Sequence, residues 1–258
     1  MSAALTAGLA GLLGLLIGSF LNVVVHRVPR GESVVSPPSA CPRCGTPIRN
    51  RHNVPVLGWL LLRGRCYDCA APISARYPVV ELATAALFVI MALRFADDRW
   101  ALPAYLVFAA AALALALIDL DVHRLPDAIV LPAYPLVVVL LAADHDGPDL
   151  LRAAIGCTVL FTFYLALAVA APGAMGGGDV KLAGLVGLMT AYVSWGTFLT
   201  GAFLAFILGA VAGVALMAAG RAGRRTAVPF GPFMLLGALS SVLGAGYLGD
   251  YYLTLIGA

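Results

Sequence analysis

Long stretches without charge alternate with short polar segments along the whole chain. The first stretch, residues 3–25, carries no charged side chain, and a helix needs about 20 apolar residues to cross a bilayer. Apolar stretches of similar length recur, several with a charged residue near one end, and shorter or longer polar segments connect them. We therefore predict membrane helices at residues 3–25, 78–95, 101–119, 127–143, 151–171 and 228–248.

The longest uncharged stretch, residues 182–220, cannot be a single crossing. At about 1.5 Å per residue, one continuous helix would measure about 58 Å, nearly twice a hydrocarbon core of about 30 Å. Tyr192 and Trp195 are aromatic side chains of the kind that concentrates at membrane interfaces, so we predict that the chain turns near them. Two helices in this stretch bring the predicted total to about eight.

Composition narrows the fold class to an all-α polytopic membrane protein. The chain has 258 residues, of which 62% are hydrophobic and only 11% charged, and its mean hydropathy is +0.96. A soluble domain of this size could not bury so much apolar surface, whereas lipid solvates it. The net charge of +3 is too small to indicate a nucleic acid as partner. The partner that the composition predicts is the lipid bilayer.

The distribution of basic residues predicts the orientation. If the segment after the first helix is cytoplasmic, 13 of the 16 Lys and Arg residues lie on the inner side, and only Arg94, Arg99 and Arg152 lie on the outer side. Positively charged loops remain in the cytoplasm. We therefore expect the N-terminus to lie outside.

Four cysteines mark the one sizeable polar segment, residues 27–77. Their spacing is Cys41-x2-Cys44, then 21 residues, then Cys66-x2-Cys69. Two such pairs supply the four sulfur ligands of a structural zinc site, which leaves no open position for a substrate. Two disulfides are the alternative, but a reducing cytosol disfavours them. The predicted domains are a first helix at 1–26, a zinc-stapled cytoplasmic domain at 27–77 and a seven-helix catalytic domain at 78–258.

Two aspartates far apart in the sequence are candidates for catalysis. Asp119 ends the third predicted helix and Asp179 opens the sixth, so both fall on the inner face of the membrane. Two neighbouring carboxyl groups that share one proton can act as general base and general acid on a water molecule that attacks a peptide bond. Asp121 and Asp127 are more typical of interfacial charges, and Asp127 could also cap a helix.

Three consecutive glycines precede Asp179 in the stretch "GAMGGGDVKL". Asp179 could simply cap a helix there, with Lys181 extending to the interface. A cap, however, does not require Gly176, Gly177 and Gly178 in a row. Such a backbone is free to adopt positive φ and suits the close approach of an extended peptide. We therefore expect these glycines and Lys181 at the site of substrate approach, with Lys181 near enough to lower the pKa of Asp179.

The chain resembles the type IV prepilin leader peptidases, bacterial membrane aspartic proteases with a GxGD motif. The matching blocks are "GSFLNVVVHRVP", the two cysteine pairs, "ISARYPVVELAT", "IDLDVHRLPD", "MGGGDVKLAG" and "PFGP". The resemblance implies that Asp119 and Asp179 are catalytic and that the four cysteines form the zinc-type motif. It also implies a location in the bacterial inner membrane and cleavage of type IV prepilins or pseudopilins at its cytoplasmic face. Many members also methylate the new N-terminus with S-adenosylmethionine, a cofactor for which no binding residue is apparent in the sequence.

Two other functions are compatible with parts of the sequence. A presenilin-like protease would cut ordinary transmembrane helices, and it would place the aspartates deeper in the bilayer. A proton-coupled transporter would use Asp119 and Asp179 as a relay. Transporters often contain repeated broken helices, and the glycine-rich block occurs only once in this sequence.

Overall fold

The computed structural model describes residues 2–143, 147–171, 175–221, 223 and 228–257. Arg224 and Arg225, two of the basic residues that we count on the inner side, lie outside these ranges. Within them, all longer regular elements are helices, and the only strand-like features are two isolated bridges. The chain divides into two compact units, residues 1–102 and 103–258. The all-α prediction is therefore confirmed.

Ten α-helices account for most of the described residues. A five-residue π-helical segment joins the last two, and Gly244 within it has a φ of 150°. The helices are α1 (Ala3–Arg27), α2 (Leu57–Leu61), α3 (Arg76–Arg94), α4 (Leu102–Val122), α5 (Asp127–Ala142), α6 (Gly147–Ala170), α7 (Gly177–Val193), α8 (Trp195–Ala218), α9 (Gly231–Ser240) and α10 (Gly246–Ile256).

Each predicted crossing coincides with a helix, but not all are equally long. Six segments of the described chain are long and apolar enough to cross a membrane: α1, α3, α4, α6, α8 and α9–α10 taken together. The other two predicted crossings, α5 and α7, have only 16 and 17 residues. The count of eight therefore exceeds the number of full-length crossings by two. The stretch 182–220 breaks at Ser194, between the aromatic residues that predicted the turn.

In the first unit, α1 and α3 pack through small residues. A methyl group at Gly14 would lie 2.6 Å from the Ala85 Cα, and one at Gly18 would lie 2.7 Å from the Glu81 Cα. Only glycine permits backbones to approach this closely. The Asn22 side-chain amide also donates to the Tyr77 carbonyl at 3.2 Å. This pair of helices carries residues 28–75 between its ends.

In the second unit, α7 is the central helix. Twelve of its 17 residues are buried, from Val180 to Tyr192. It crosses α6 where Gly187 meets Gly156, because a methyl group on either would overlap the carbonyl oxygen of the other. The Tyr105 hydroxyl on α4 donates to the Met189 carbonyl at 2.7 Å. These contacts fix α7 against its neighbours, and with it the position of Asp179.

Arg152 on α6 binds the C-terminal end of α7, opposite the end that carries Asp179. Its guanidinium donates to the carbonyl oxygens of Ala191, Tyr192 and Val193. Those carbonyls are the last of a helix and have no partner within it. The Arg152 guanidinium also pairs with Asp149 at 2.8 Å. The Arg152 side chain therefore caps the C-terminal end of α7.

Candidate active site and metal centre

Asp119 lies in the last turn of α4 and is almost entirely buried, with 5% exposure. Its backbone carbonyl accepts from the His123 N–H at 2.9 Å, which closes the final turn. Its Oδ2 atom has no hydrogen-bond partner among the described residues. A buried polar atom without a partner is costly, so such atoms are rare outside sites that bind or react.

Asp179 lies in the first turn of α7, directly after Gly176, Gly177 and Gly178. The Gly176 N–H donates to the Asp179 Oδ2 at 3.2 Å, and the Asp179 N–H donates back to the Gly176 carbonyl at 3.1 Å. This reciprocal pair satisfies free N–H groups at the start of the helix. The Asp179 carboxyl is half-buried and held in one direction by its own loop.

Of the three glycines, only Gly178 approaches another segment of the chain closely, and none has a positive φ. The freedom to adopt positive φ is not used: Gly176 is extended with φ −79°, and Gly177 and Gly178 begin the helix. A methyl group at Gly178 would come within 3.0 Å of the Leu125 Cβ, whereas one at Gly177 would meet no described atom within 4 Å. Gly178 is therefore required by packing, while Gly177 leaves its backbone open.

Leu125 connects the two acidic helix ends. It contacts Gly178 at the start of α7, and a methyl group at Gly231, the first residue of α9, would lie 3.2 Å from its Cδ2. The same methyl group would lie 2.7 Å from the Asp119 Oδ2. Asp119 and Asp179 are near enough to interact electrostatically. The ends of α4, α7 and α9 thus meet around two carboxyl groups.

Lys181 pairs with Asp127 in the structure. Its Nζ lies 2.8 Å and 2.7 Å from the two carboxylate oxygens of Asp127, the first residue of α5. The Lys181 carbonyl also accepts from the Tyr134 hydroxyl, so α5 and α7 are joined twice close to Asp179. Both charged groups of the pair are partly exposed to solvent, at 39% and 53%. The sequence did not predict this pairing.

The four cysteines of the first unit form one cluster. Their Sγ atoms all lie within 4.8 Å of one another, with Cys41–Cys69 at 3.8 Å and Cys44–Cys66 at 4.0 Å. Four sulfurs around zinc at about 2.3 Å would be about 3.8 Å apart. All four cysteines are free thiols. The cluster could therefore bind a metal ion, and its donor set fits zinc.

The two cysteine pairs are built alike. In the first, the Cys41 N–H donates to the Thr46 carbonyl and an isolated bridge joins Ala40 to Pro47. In the second, the Cys66 N–H donates to Ala71 and the bridge joins Arg65 to Pro72. Each turn thus presents its two sulfurs on one side.

Hydrogen bonds and charge in the cluster also suit a cation. Backbone N–H groups of Cys44 and Arg43 lower the pKa of Cys41, and hydrogen bonds from the Thr46 side chain and backbone lower the pKa of Cys44 to about 6. The Ala71 N–H donates to Cys69, but burial and the neighbouring thiols raise the pKa of Cys69 to about 12. Hydrogen bonds therefore favour the thiolate form at Cys41 and Cys44, and a divalent cation would also stabilise the thiolate of Cys69.

Two residues of the site, Gly231 and Tyr164, were not identified from the sequence. Gly231 belongs to the block "PFGP", but its contact with Asp119 depends on how α9 packs. Tyr164 on α6 is 1% exposed, interacts electrostatically with Asp179 and has its ring centroid 6.2 Å from that of Phe230. A tyrosine in an apolar helix carries no sequence signal for such a position.

The fold and the site define a multi-pass helical membrane protein with a tetrathiol loop and two interacting carboxyl groups at helix ends. Residues 12–95 match the family model of the bacterial peptidase A24 N-terminal domain, and residues 106–257 match that of the type IV leader peptidase family. The chain belongs to the type IV leader peptidase family.

Curated relatives agree over almost the whole chain. A prepilin leader peptidase/N-methyltransferase of Pseudomonas aeruginosa is 36% identical over 95% of this chain and 93% of its own length. The protein of that name from Aeromonas hydrophila is also 36% identical, over 94% and 92% respectively. A type 4 prepilin-like proteins leader peptide-processing enzyme of Escherichia coli is 35% identical, over 91% and 92%. No solved structure matches the chain.

Proposed function

We propose that this protein is an aspartic endopeptidase of the bacterial inner membrane that removes the leader peptide from type IV prepilins or pseudopilins. Membership of the leader peptidase family and the names of the relatives support the reaction and the substrate class. The observation that carries the assignment of residues is the buried Asp119 Oδ2, without a described partner, beside the carboxyl of Asp179.

In the proposed reaction, Asp119 and Asp179 share one proton. Two carboxyl groups that interact electrostatically cannot both ionise easily, so one is available as a base and the other as an acid. The base removes a proton from water as the oxygen attacks the scissile carbonyl carbon. The acid donates its proton to the carbonyl oxygen, which gives a tetrahedral gem-diol. The first carboxyl group then passes the proton that it took from water to the leaving nitrogen as the C–N bond breaks, and the second recovers a proton from a hydroxyl group of the gem-diol. No covalent intermediate with the enzyme is required.

The glycine-rich start of α7 is the proposed position of the substrate backbone. Gly177 supports this role, because a methyl group there would meet no described atom within 4 Å and glycine leaves the backbone without a side chain. Lys181 would act at the same place through its bond to Asp127, which holds α5 against α7. The apolar helix of the prepilin would pack along membrane helices by van der Waals contact.

Topology and domain roles are part of the same proposal. The excess of arginines in residues 27–77 supports a cytoplasmic loop, an external N-terminus and a site at the cytoplasmic face. In this scheme residue 1–26 forms the first crossing, 27–77 forms the metal-stabilised domain, and 78–258 forms the catalytic helices. The six long apolar helices support the inner-membrane location.

Two cofactors are proposed with separate roles. Zinc held by Cys41, Cys44, Cys66 and Cys69 would order the loop. Its role would be structural and not catalytic, because four thiolates leave no coordination position for a substrate. S-adenosylmethionine would donate a methyl group to the new N-terminus, a proposal that rests on the relatives' names. Transfer of labelled methyl from S-adenosylmethionine to a processed prepilin tests the second activity separately.

The test of the peptidase is coexpression with a prepilin, comparing the wild type with Asp119→Asn and Asp179→Asn. General acid–base groups contribute about 10²–10⁴ in rate, so each variant should lose processing by at least about 100-fold. Asp121→Asn, two residues from Asp119, is the matched control and should process normally. Processing by both catalytic variants at the wild-type rate would end the assignment to these residues.

A further inference from the structure

Residues 27–77, which carry the four cysteines, are called the metal loop below. The short helix α2 in this loop exposes an apolar face. Its leucines Leu57, Leu60 and Leu61 are 57%, 56% and 76% exposed. The spacing i, i+3, i+4 places them on one side of the helical turn. Three exposed leucines on five residues form a local patch of the kind that marks an interaction surface.

The opposite side of α2 is fixed to the loop. The Trp59 Nε1–H donates to the Ile73 carbonyl at 3.1 Å, and the Trp59 ring closely approaches Gly64. Gly58 is buried, and a methyl group there would overlap the carbonyl oxygen of His52. Because this side is held by these contacts, the leucines cannot turn inward without breaking them.

A hydrogen bond places the beginning of α2 beside a membrane helix. The Val56 N–H donates to the Glu81 Oε2 at 2.6 Å, and Glu81 is 7% exposed. Glu81 is the sixth residue of α3, so it lies about 7.5 Å along that helix from Arg76. Helix α3 is one of the six that can cross a membrane. The leucine face therefore starts level with the end of a membrane crossing.

Charge around α2 selects the kind of partner. Residues 27–77 contain eight arginines but only Glu32 and Asp68 as acidic residues. Arg51, Arg63 and Arg65 flank the helix and are exposed. Zinc with four thiolates would contribute about −2, which leaves the segment strongly cationic. An apolar face bordered by arginines is complementary to the boundary between acyl chains and anionic headgroups.

We propose that α2 is an interfacial anchor that lies in the headgroup layer of the membrane leaflet facing residues 27–77. The leucines contact the upper acyl chains, and the flanking arginines bind the phosphates of anionic phospholipids. The partner is thus the lipid surface itself and not a soluble phosphate, because free anions do not cover leucines. This inference depends on the membrane location of α1 and α3 and is independent of the proteolytic reaction.

The experiment uses the full chain in lipid vesicles with a photoreactive p-benzoylphenylalanine at Leu61. The matched control carries the same group at Val35, which is 86% exposed in the same loop but lies outside any helix. Vesicles contain phosphatidylethanolamine with either anionic phosphatidylglycerol or neutral phosphatidylcholine. Adducts are identified by mass spectrometry after irradiation, with and without a coreconstituted prepilin.

We expect lipid adducts at position 61 in clear excess over position 35, with phosphatidylglycerol preferred. Arg63→Gln and Arg65→Gln should each lower that preference by about fivefold. Equal labelling at both positions, or no preference for the anionic lipid, would overturn the proposal, and adducts of position 61 with the prepilin would make the patch a substrate contact. A loop disturbed by the label would show new protease cleavage, in which case Leu60 on the same face carries the label.

Discussion

The metal loop and helix α7 are ordered by opposite means. In residues 27–77, all of which the structure describes, only Gly58, Gly64 and Ala71 are buried. In α7, twelve of 17 residues are buried, among them large side chains such as Leu182 and Met189. A loop with so little buried apolar surface cannot offset the entropy of ordering its chain through packing. Its structure has to depend on its thiol cluster, whereas that of α7 depends on its neighbours.

The difference predicts which perturbation each region will resist. Chelation of a metal should affect the loop and leave α7 intact. An added methyl group should affect α7 but would be tolerated at most exposed positions of the loop. The loop carries the cysteine cluster and α7 carries Asp179, so a perturbation of one region should affect the structure and the functional group of that region alone.

The largest expected effect is removal of the metal. Structural zinc contributes about 10–16 kcal/mol of apparent binding free energy in small zinc peptides. Chelation, or Cys41→Ser with Cys66→Ser, should therefore unfold the loop, so that its backbone can enter trypsin at arginines where the folded loop resists cleavage. Metal analysis of the purified chain should change from near one zinc to none.

Residues 103–258 provide the internal control for that experiment. Their helical signal and protease resistance should be unchanged after chelation, because the cysteine cluster lies wholly in the other unit. A loop that remains resistant to trypsin without metal would show that the comparison is mistaken.

An intermediate effect is expected from Gly187→Ala in α7. The new methyl group would overlap the backbone of Gly156, and overpacking of this kind costs about 1–3 kcal/mol. Because α7 carries Asp179, prepilin processing should fall together with the midpoint of thermal unfolding. The matched control is Gly213→Ala in α8, where a methyl group meets no described atom within 4 Å.

Gly213→Ala should leave stability unchanged or raise it by up to about 1 kcal/mol, since alanine is the better helix former. If both substitutions had the same effect, the close crossing of α6 and α7 would not be what positions α7.

The smallest effect is expected from the Lys181–Asp127 pair. Its groups are 39% and 53% exposed, and exposed ion pairs contribute less than about 1 kcal/mol. A double-mutant cycle with Lys181→Met and Asp127→Asn should give a coupling energy in that range. The Arg49–Asp68 pair of the loop, at 2.9 Å and 42% and 32% exposed, is a suitable comparison.

A coupling energy of several kcal/mol for Lys181–Asp127 would contradict this expectation. It would indicate that the pair is shielded from solvent by the membrane in a way that its exposure does not reveal.

Much of the fold follows from the sequence because the signals were local. Apolar runs located all eight predicted crossings, the last of which is divided between α9 and α10, and Tyr192 and Trp195 located the break at Ser194. The bounds of α5 were predicted to within one residue, whereas α7 begins at Gly177, before the apolar run that starts at Leu182, because its first turn is built from glycine, Asp179 and Lys181. The clustering of the four cysteines likewise depends on spacing within two short turns.

The site was only partly predictable because its contacts join distant segments. The positions of Asp119 and Asp179 at helix ends followed from where the apolar runs stop. The approach of Gly231 to Asp119 and the pairing of Lys181 with Asp127 depend on how α9 and α5 pack. Such contacts span more than 50 residues, and no local pattern encodes them.

The modest length of α7 has a consequence for access to the carboxyl groups. Seventeen residues span about 25 Å, about 5 Å less than a hydrocarbon core. Lipid cannot thin to match a helix that is enclosed by protein, so the shortfall has to appear as hollows at its ends. Arg152 fills one of them with its guanidinium. At the glycine end we expect water to enter instead, so that a peptide would have to descend below the headgroups, unwound, to be cut.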